Sequence, residues 1–285
     1  MRRNFIMSPK IDFCFKELMQ DEEVRKGFIA AVLHVSPDEI ISTELLPTHL
    51  RKEHENDKLG ILDVRVLMNG NVQLDMEIQL SLFKLWPERS MFYLGKMYVE
   101  QFQKGQDYDM LGKCIHVGIL DFELFAEDEE YDSVFHLWED NRNRLYSDKL
   151  EIHILELPKV RKNKYPDSEL LRWLQFINAE REEEFEMLAK DNEYMKKAFD
   201  RLRYISADEQ KQLDYEARLV ATMDHNYMMK QSREEGLAEG ARHKLIDLVQ
   251  KKYQKGLSTS EIADLLEEPL EVIQEIVSEL NKGKI

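Results

Sequence analysis

The sequence predicts an α/β or α+β core over about the first 160 residues, followed by an all-helical C-terminal region. Three observations point there. Short β-rich apolar runs alternate with helical patterns up to Pro158. Strands interleaved with helices imply a sheet covered by helices. Beyond Ser168 the pattern turns helical, with long charged stretches such as "AEREEEFEMLAKDNEYMKKAFDRL". The 43% apolar fraction is enough to fill a core. The expected organisation is 1–160, a helical extension over 161–232 and a helical tail over 233–285.

Each element follows from local pattern. "SPKIDFCFKELMQDEEVRKGFIAAVLHV" opens on Ser8-Pro9 and repeats apolar residues at helical spacing, including Phe15, Leu18, Phe28, Ile29, Val32 and Leu33. Two helices broken near "QDEE" are predicted. "ISTELLPTHL" reads as a short extended piece and "RKEHENDKLG" as a polar loop. Two strands follow in "LDVRVLMNGNVQLDMEIQL", then a helix from near Pro87 to near Gly105. "KCIHVGILDFELF", "SVFHLWED" and "KLEIHILELPKV" read as three further strands, the first of them buried. A charged helix with one apolar stripe is expected over about 168–187. No internal repeat is visible.

The formal charge is −16. Such a chain repels nucleic acid at long range, so DNA contact requires a local basic patch or bound cations. This argues against a DNA-coating protein and leaves a cation-dependent enzyme open. Cys14 and Cys114 lie in no CxxC or Cys/His cluster, which fits buried thiols in a reducing compartment. The opening "MRRNFIMSPKIDF" has no apolar run of signal-peptide length, and no stretch approaches the roughly 20 apolar residues of a membrane span. A soluble cytoplasmic protein is expected.

The hairpin carries the chemistry. Leu62, Val64, Val66 and Met68 share one face of its first strand, leaving Asp63 and Arg65 opposite. In the second, Leu74, Met76, Ile78 and Leu80 oppose Gln73, Asp75, Glu77 and Gln79. A two-residue Asn69-Gly70 turn would pair Met68 with Asn71 and set Asp63 against Met76. A three-residue Asn69-Gly70-Asn71 loop pairs Met68 with Val72 and Asp63 with Glu77. Only an odd loop, of three or five residues, keeps the apolar stripes together. Like charges abreast across a strand pair are destabilising, and a divalent cation would relieve them. Two carboxylates suit Mg²⁺ or Mn²⁺, ions that favour hard oxygen ligands and suit phosphodiester cleavage. A plain solvated face on an amphipathic hairpin fits the same spacing.

An Asp on one strand followed by [D/E]-x-[K/Q] on the next resembles the PD-(D/E)XK nuclease superfamily. More narrowly, the chain resembles the Rpn recombination-promoting nucleases, also described as transposase-like. "DFCFKELM", "LDVRVLMNGNVQLDMEIQ", "RSMFYLGKMY", "KCIHVGILDFELF", "LEIHILELPKV", "EEGLAEGARHKLIDLV" and "KGLSTSEIADLLEEPLEVI" carry the resemblance, in that order. It implies a restriction-endonuclease-like fold over 1–160, a mixed sheet flanked by helices, and Mg²⁺-dependent DNA cleavage linked to recombination or mobile DNA. By the same resemblance Asp63 and Glu77 are metal ligands, and Gln79 replaces the superfamily's lysine. Glutamine can hydrogen-bond the attacking water but brings no charge. Asp12 lies near where related nucleases place an extra acid; a helix N-terminal acid favoured by the dipole is the plainer role. The alternative function is a nuclease fold that has lost cleavage and binds DNA or a protein partner.

Arg89 and Lys96 lie seven residues apart on the helix after the hairpin, so one face could offer both to DNA phosphates or simply be solvated. His116 and His136 sit in apolar strands and read as core or surface residues rather than ligands. Phe92, Tyr93 and Met97 read as core, and Trp173 and Phe176 as packing residues. The tail "GLSTSEIADLLEEPLEVIQEIVSEL" has helix-turn-helix layout, with Ser258 or Thr259 capping the first helix and Pro269 opening the second. Its second helix carries Glu271, Glu275 and Glu279 and no arginine, which favours packing or homodimer contact over DNA reading.

Overall fold

A computed structural model describes residues 5–50, 62–102 and 105–282. The polar segment "RKEHENDKLG" lies outside the described residues. The chain divides into two compact units, Met1–Val220 and Ala221–Ile285.

The first unit opens with α1 (Asp12–Met19) and α2 (Glu22–Val32). The break between them is made by Asp21, whose carboxylate accepts from the Glu23 and Val24 amides at 3.0 and 3.1 Å and so starts α2. Then come β1 (Thr43–Leu46), β2 (Val64–Met68), β3 (Val72–Gln79), α3 (Trp86–Glu100), β4 (Cys114–Leu120), β5 (Asp132–Glu139) and β6 (Arg144–Glu156). The sheet order is β1-β2-β3-β4-β6-β5. β1, β2 and β3 are antiparallel, β4 joins β3 and β6 in parallel, and β5 closes antiparallel on β6. α3 ends at Glu100, short of the Gly105 stop the sequence predicts.

The two faces of this sheet differ in kind. Val64, Val66, Leu74, Met76, Ile78, Ile115, Val117 and Ile119 form one face and join Phe15, Phe28, Trp173, Phe176, Phe185 and Phe199 in the main core. The last four come from α5 (Glu169–Asn178), α6 (Glu182–Ala189) and α7 (Glu193–Ala207), which follow the short α4 (Leu157–Lys162). So helices beyond residue 160 supply one wall of the core that the strands need. The single charged helix expected over 168–187 is two helices. Glu184 accepts from the Glu180 and Arg181 amides at 2.9 and 3.1 Å, opening a new helix where no proline or glycine marks a break.

The opposite face carries Arg65, Asp75, Glu77, His116 and Gly118 beneath α3. Trp86, at its first turn, is fully buried. A Cβ built on Gly118 would lie 2.6 Å from a Trp86 ring carbon. The strand glycine is therefore a seat for the indole. Gly118→Ala is expected to cost about 1–3 kcal/mol by overpacking, read as a lower denaturation midpoint; an unchanged midpoint would show that α3 shifts freely. Tyr93 and Met97 are buried as expected. Phe92 is 36% exposed and corrects the core reading, because at 100° per residue it turns away from Tyr93.

The second unit contains the end of α8 (Glu209–Gln254), α9 (Thr259–Leu266) and α10 (Leu270–Asn281). Val249, Ile262, Ala263, Ile273, Ile276 and Val277 make its small core. Ser258 caps α9 with a reciprocal Glu261 bond, and Pro269 stands just ahead of α10. Glu267 takes φ 55° in the intervening turn, where glycine would be unstrained. Among the described residues, no helix is long and apolar enough to cross a membrane.

Candidate active site

The loop between β2 and β3 is Asn69-Gly70-Asn71, and Met68 pairs with Val72. Asn69 and Gly70 adopt φ values of 50° and 74°, the left-handed region that these residue types enter most readily. Asn69 is held further by its side chain, which accepts from the Ile41 amide at 2.8 Å and donates to the Glu39 carbonyl at 3.1 Å. This register brings Val64 opposite Met76 and Arg65 opposite Asp75. One step on, Asp63 reaches across and its Oδ2 accepts from the Ile78 amide at 3.2 Å. Asp63 therefore stands abreast of Glu77.

Glu77 is 2% exposed. Its Oε1 accepts from the Arg89 guanidinium. Its Oε2 is buried with no hydrogen-bond partner among the described residues. Arg89 also points at Gln79 Oε1, 3.5 Å away, and lies among the rings of Phe83, Trp86 and Tyr93 at 5.4–5.8 Å. Gln79 donates to the Ser81 carbonyl at 3.2 Å. Burial pushes the Glu77 carboxyl up to about 7; Asp63 and Asp75 add to this, while Arg89 and His116 oppose it.

That shift has a measurable consequence. A carboxyl whose folded pKa lies above its ordinary 4.5 stabilises the fold most below 4.5, and that contribution is lost as pH rises through about 7. Glu77→Gln removes the dependence. Between pH 5 and pH 8 the wild type is expected to lose up to about 3 kcal/mol more than the variant. Urea midpoints at the two pH values check this, and parallel profiles would refute it.

Beside Glu77, Asp75 and His116 are both fully buried, with Asp75 Oδ2 2.9 Å from His116 Nδ1. The parallel pairing of β3 with β4 sets these two residues abreast. The Asp75 carboxylate raises the His116 pKa against the opposing effect of burial. Asp75, Glu77 and His116 each offer a ligand atom within 4.8 Å of the others. Each also has a buried atom without a partner among the described residues: Asp75 Oδ1, Glu77 Oε2 and His116 Nε2. Buried polar atoms left unpaired are costly, and two carboxylates with an imidazole form a donor set that fits a divalent cation.

Two further groups approach from α1. Lys16 Nζ lies 2.8 Å from Asp63 Oδ1 and 3.5 Å from Asp12 Oδ2. Asp12 in turn pairs with Arg218 at 3.1 Å and accepts from the Phe13 amide at 2.8 Å, as an acid in a first helical turn does. Asp12 is thus tied to Asp63 through Lys16. Lys96, by contrast, stacks over Phe92 at 5.5 Å. His136 is half-buried and hydrogen-bonds Glu151 at 2.7 Å.

Sequence reasoning missed Lys16 and the Asp75–His116 pair. Asp75 had a visible signal, since it shares a strand face with Glu77. His116 had none, because its place depends on the pairing of strands distant in sequence.

A mixed sheet flanked by helices, with an acidic hairpin beneath α3, is a restriction-endonuclease-like fold. The family model described as PD-(D/E)XK nuclease family transposase matches residues 9–232, and the chain belongs to that family. No curated protein and no solved structure matches it.

Proposed function

We propose that the chain is a divalent-metal-dependent DNA endonuclease acting in recombination or on mobile DNA. One observation carries most of the weight: Asp63 and Glu77 stand abreast on the hairpin, and Glu77 keeps a buried oxygen with no partner among the described residues. Asp63 and Glu77 would hold Mg²⁺ or Mn²⁺. A bound ion of this kind polarises a phosphoryl oxygen and makes a bound water more acidic.

The protein groups have their own tasks in this reading. The Gln79 amide orients the attacking water by hydrogen bonding. It is neutral, so positive charge comes from elsewhere: Lys16 at Asp63 and Arg89 at Glu77. Asp12 positions Lys16. Lys96 on α3 meets DNA phosphates, and Arg89, held against Glu77, adds positive charge from within the site, giving the local basic contact that a chain of net charge −16 needs. A homodimer through the helical C-terminal region would bring two such sites to one duplex.

Supercoiled plasmid with purified protein tests the proposal. Nicking or linearisation is expected with Mg²⁺ or Mn²⁺ and none with a chelator. A folded protein that leaves the plasmid intact with either ion would overturn the reading. It would favour a cleavage-deficient module that binds DNA or protein, in which Arg89 permanently neutralises Glu77.

A further inference from the structure

The hairpin acids alone make an all-oxygen site. The structure places an imidazole next to them, and its hydrogen bonding resembles that of a ligand. His116 Nδ1 faces Asp75 Oδ2 at 2.9 Å. When Nδ1–H donates to that carboxylate, the lone pair of the neutral ring sits on Nε2. His116 Nε2 is buried and has no partner among the described residues, although the side chain is fully enclosed. The ring cannot turn easily, because Trp86 lies against it at 5.8 Å between centroids and is itself seated on Gly118. A carboxylate that fixes the tautomer and orientation of a histidine, leaving its other nitrogen free, is the usual support of a metal-bound imidazole. Glu77, whose Oε2 has no partner among the described residues, also offers a ligand atom within 4.8 Å of one from Asp75 and one from His116.

We propose that His116, oriented by Asp75, is a nitrogen ligand to the ion held at Glu77, and that it makes the site prefer Mn²⁺ over Mg²⁺. This rests on the metal-dependent reading above and adds to it. The chemistry is one of ligand type. Mg²⁺ favours oxygen and releases its waters reluctantly, whereas Mn²⁺ and its first-row neighbours accept imidazole. Asp75 positions His116 through Oδ2, while its Oδ1 is buried without a partner among the described residues and is open to the same ion. Glu77 supplies oxygen, whereas Asp63, just ahead of β2, is not one of the three residues in that group.

Pulsed EPR of Mn²⁺ bound stoichiometrically to the full-length protein, without DNA, reads the ligand directly. Coupling of the manganese electron spin to a ¹⁴N nucleus is expected in the wild type. The chain has eight histidines, so a variant makes the assignment. His116→Gln keeps a donor for Asp75 and offers oxygen in place of nitrogen. It is expected to lose the ¹⁴N coupling and to bind Mn²⁺ at least about tenfold more weakly, while Mg²⁺ affinity, measured by competition, changes less than about threefold. Mn²⁺ bound to the wild type without ¹⁴N coupling would overturn the nitrogen ligand and leave an oxygen-only site at Asp63 and Glu77 standing. Coupling that persists in His116→Gln would also overturn it. No stoichiometric Mn²⁺ binding by the wild type would sink both this proposal and the metal-dependent reading. The wild-type spectrum decides even where the variant fails to fold.

Discussion

Asp63→Ala is expected to abolish plasmid cleavage while leaving the protein folded. The two halves of that expectation have separate causes. Asp63 is partly exposed, at the rim of the hairpin, and its loss leaves Lys16 still beside Asp12. The substitution removes the Lys16 ion pair and the acceptor of the Ile78 amide, so stability should fall by about 1–3 kcal/mol, within what a folded domain tolerates. Under the proposed metal-dependent function, cleavage depends on the same carboxylate far more strongly. Stabilisation of transition-state charge at such a site is worth several kcal/mol, and each 1.36 kcal/mol is about tenfold in rate. A fall of at least about a hundredfold follows. Glu77→Gln should match it in rate and yet, by removing a buried charge, raise stability at pH 8. Gln79→Ala should cost less, about tenfold, because the hydrogen bond it offers to the water is neutral. Single-turnover cleavage with Mg²⁺ measures the three together. Equal cleavage by the wild type and Asp63→Ala would place the active site elsewhere.

The hairpin was legible because two independent patterns agree on it. The apolar stripes of both strands meet only when the loop is odd, and the three-residue Asn-Gly-Asn loop is the one the chain uses. The fold class was legible for a similar reason, since buried β4 and the alternating β2 and β3 cannot be read as helices. Other features depended on contacts that no local pattern carries. Arg89 looked like an outward cation. The rings of Phe83, Trp86 and Tyr93 instead hold its guanidinium against Glu77. His116 looked like a core residue, and it is buried; its meaning comes from the parallel register that sets it beside Asp75. The break between α5 and α6 rests on an arginine and a glutamate in the place where serine or threonine usually signals a cap. Residue identity there gives no warning.

Trp86→Ala should be the most destabilising single change on the site's side of the sheet. The indole is fully buried, lies on the backbone at Gly118 and contacts the rim of the Asp75–His116 pair. It also walls one side of the Arg89 guanidinium. Truncating a buried tryptophan costs about 3–5 kcal/mol, and the glycine beneath supplies no side chain to fill the space. The cavity left behind is lined by Leu120, Phe122 and Ile154 on one side and by His116 and Arg89 on the other, so water can enter from the polar side. Burial is what raises Glu77, so hydration should let its carboxyl fall back towards the ordinary range and flatten the stability change between pH 5 and pH 8. Trp86→Phe retains a ring over Gly118 and should lose less than half as much. Urea titrations of both variants at the two pH values separate the packing loss from the electrostatic one. A loss in Trp86→Ala below about 1 kcal/mol would mean that α3 collapses onto the sheet without its tryptophan, and that the enclosure of Asp75, Glu77 and His116 has some other origin.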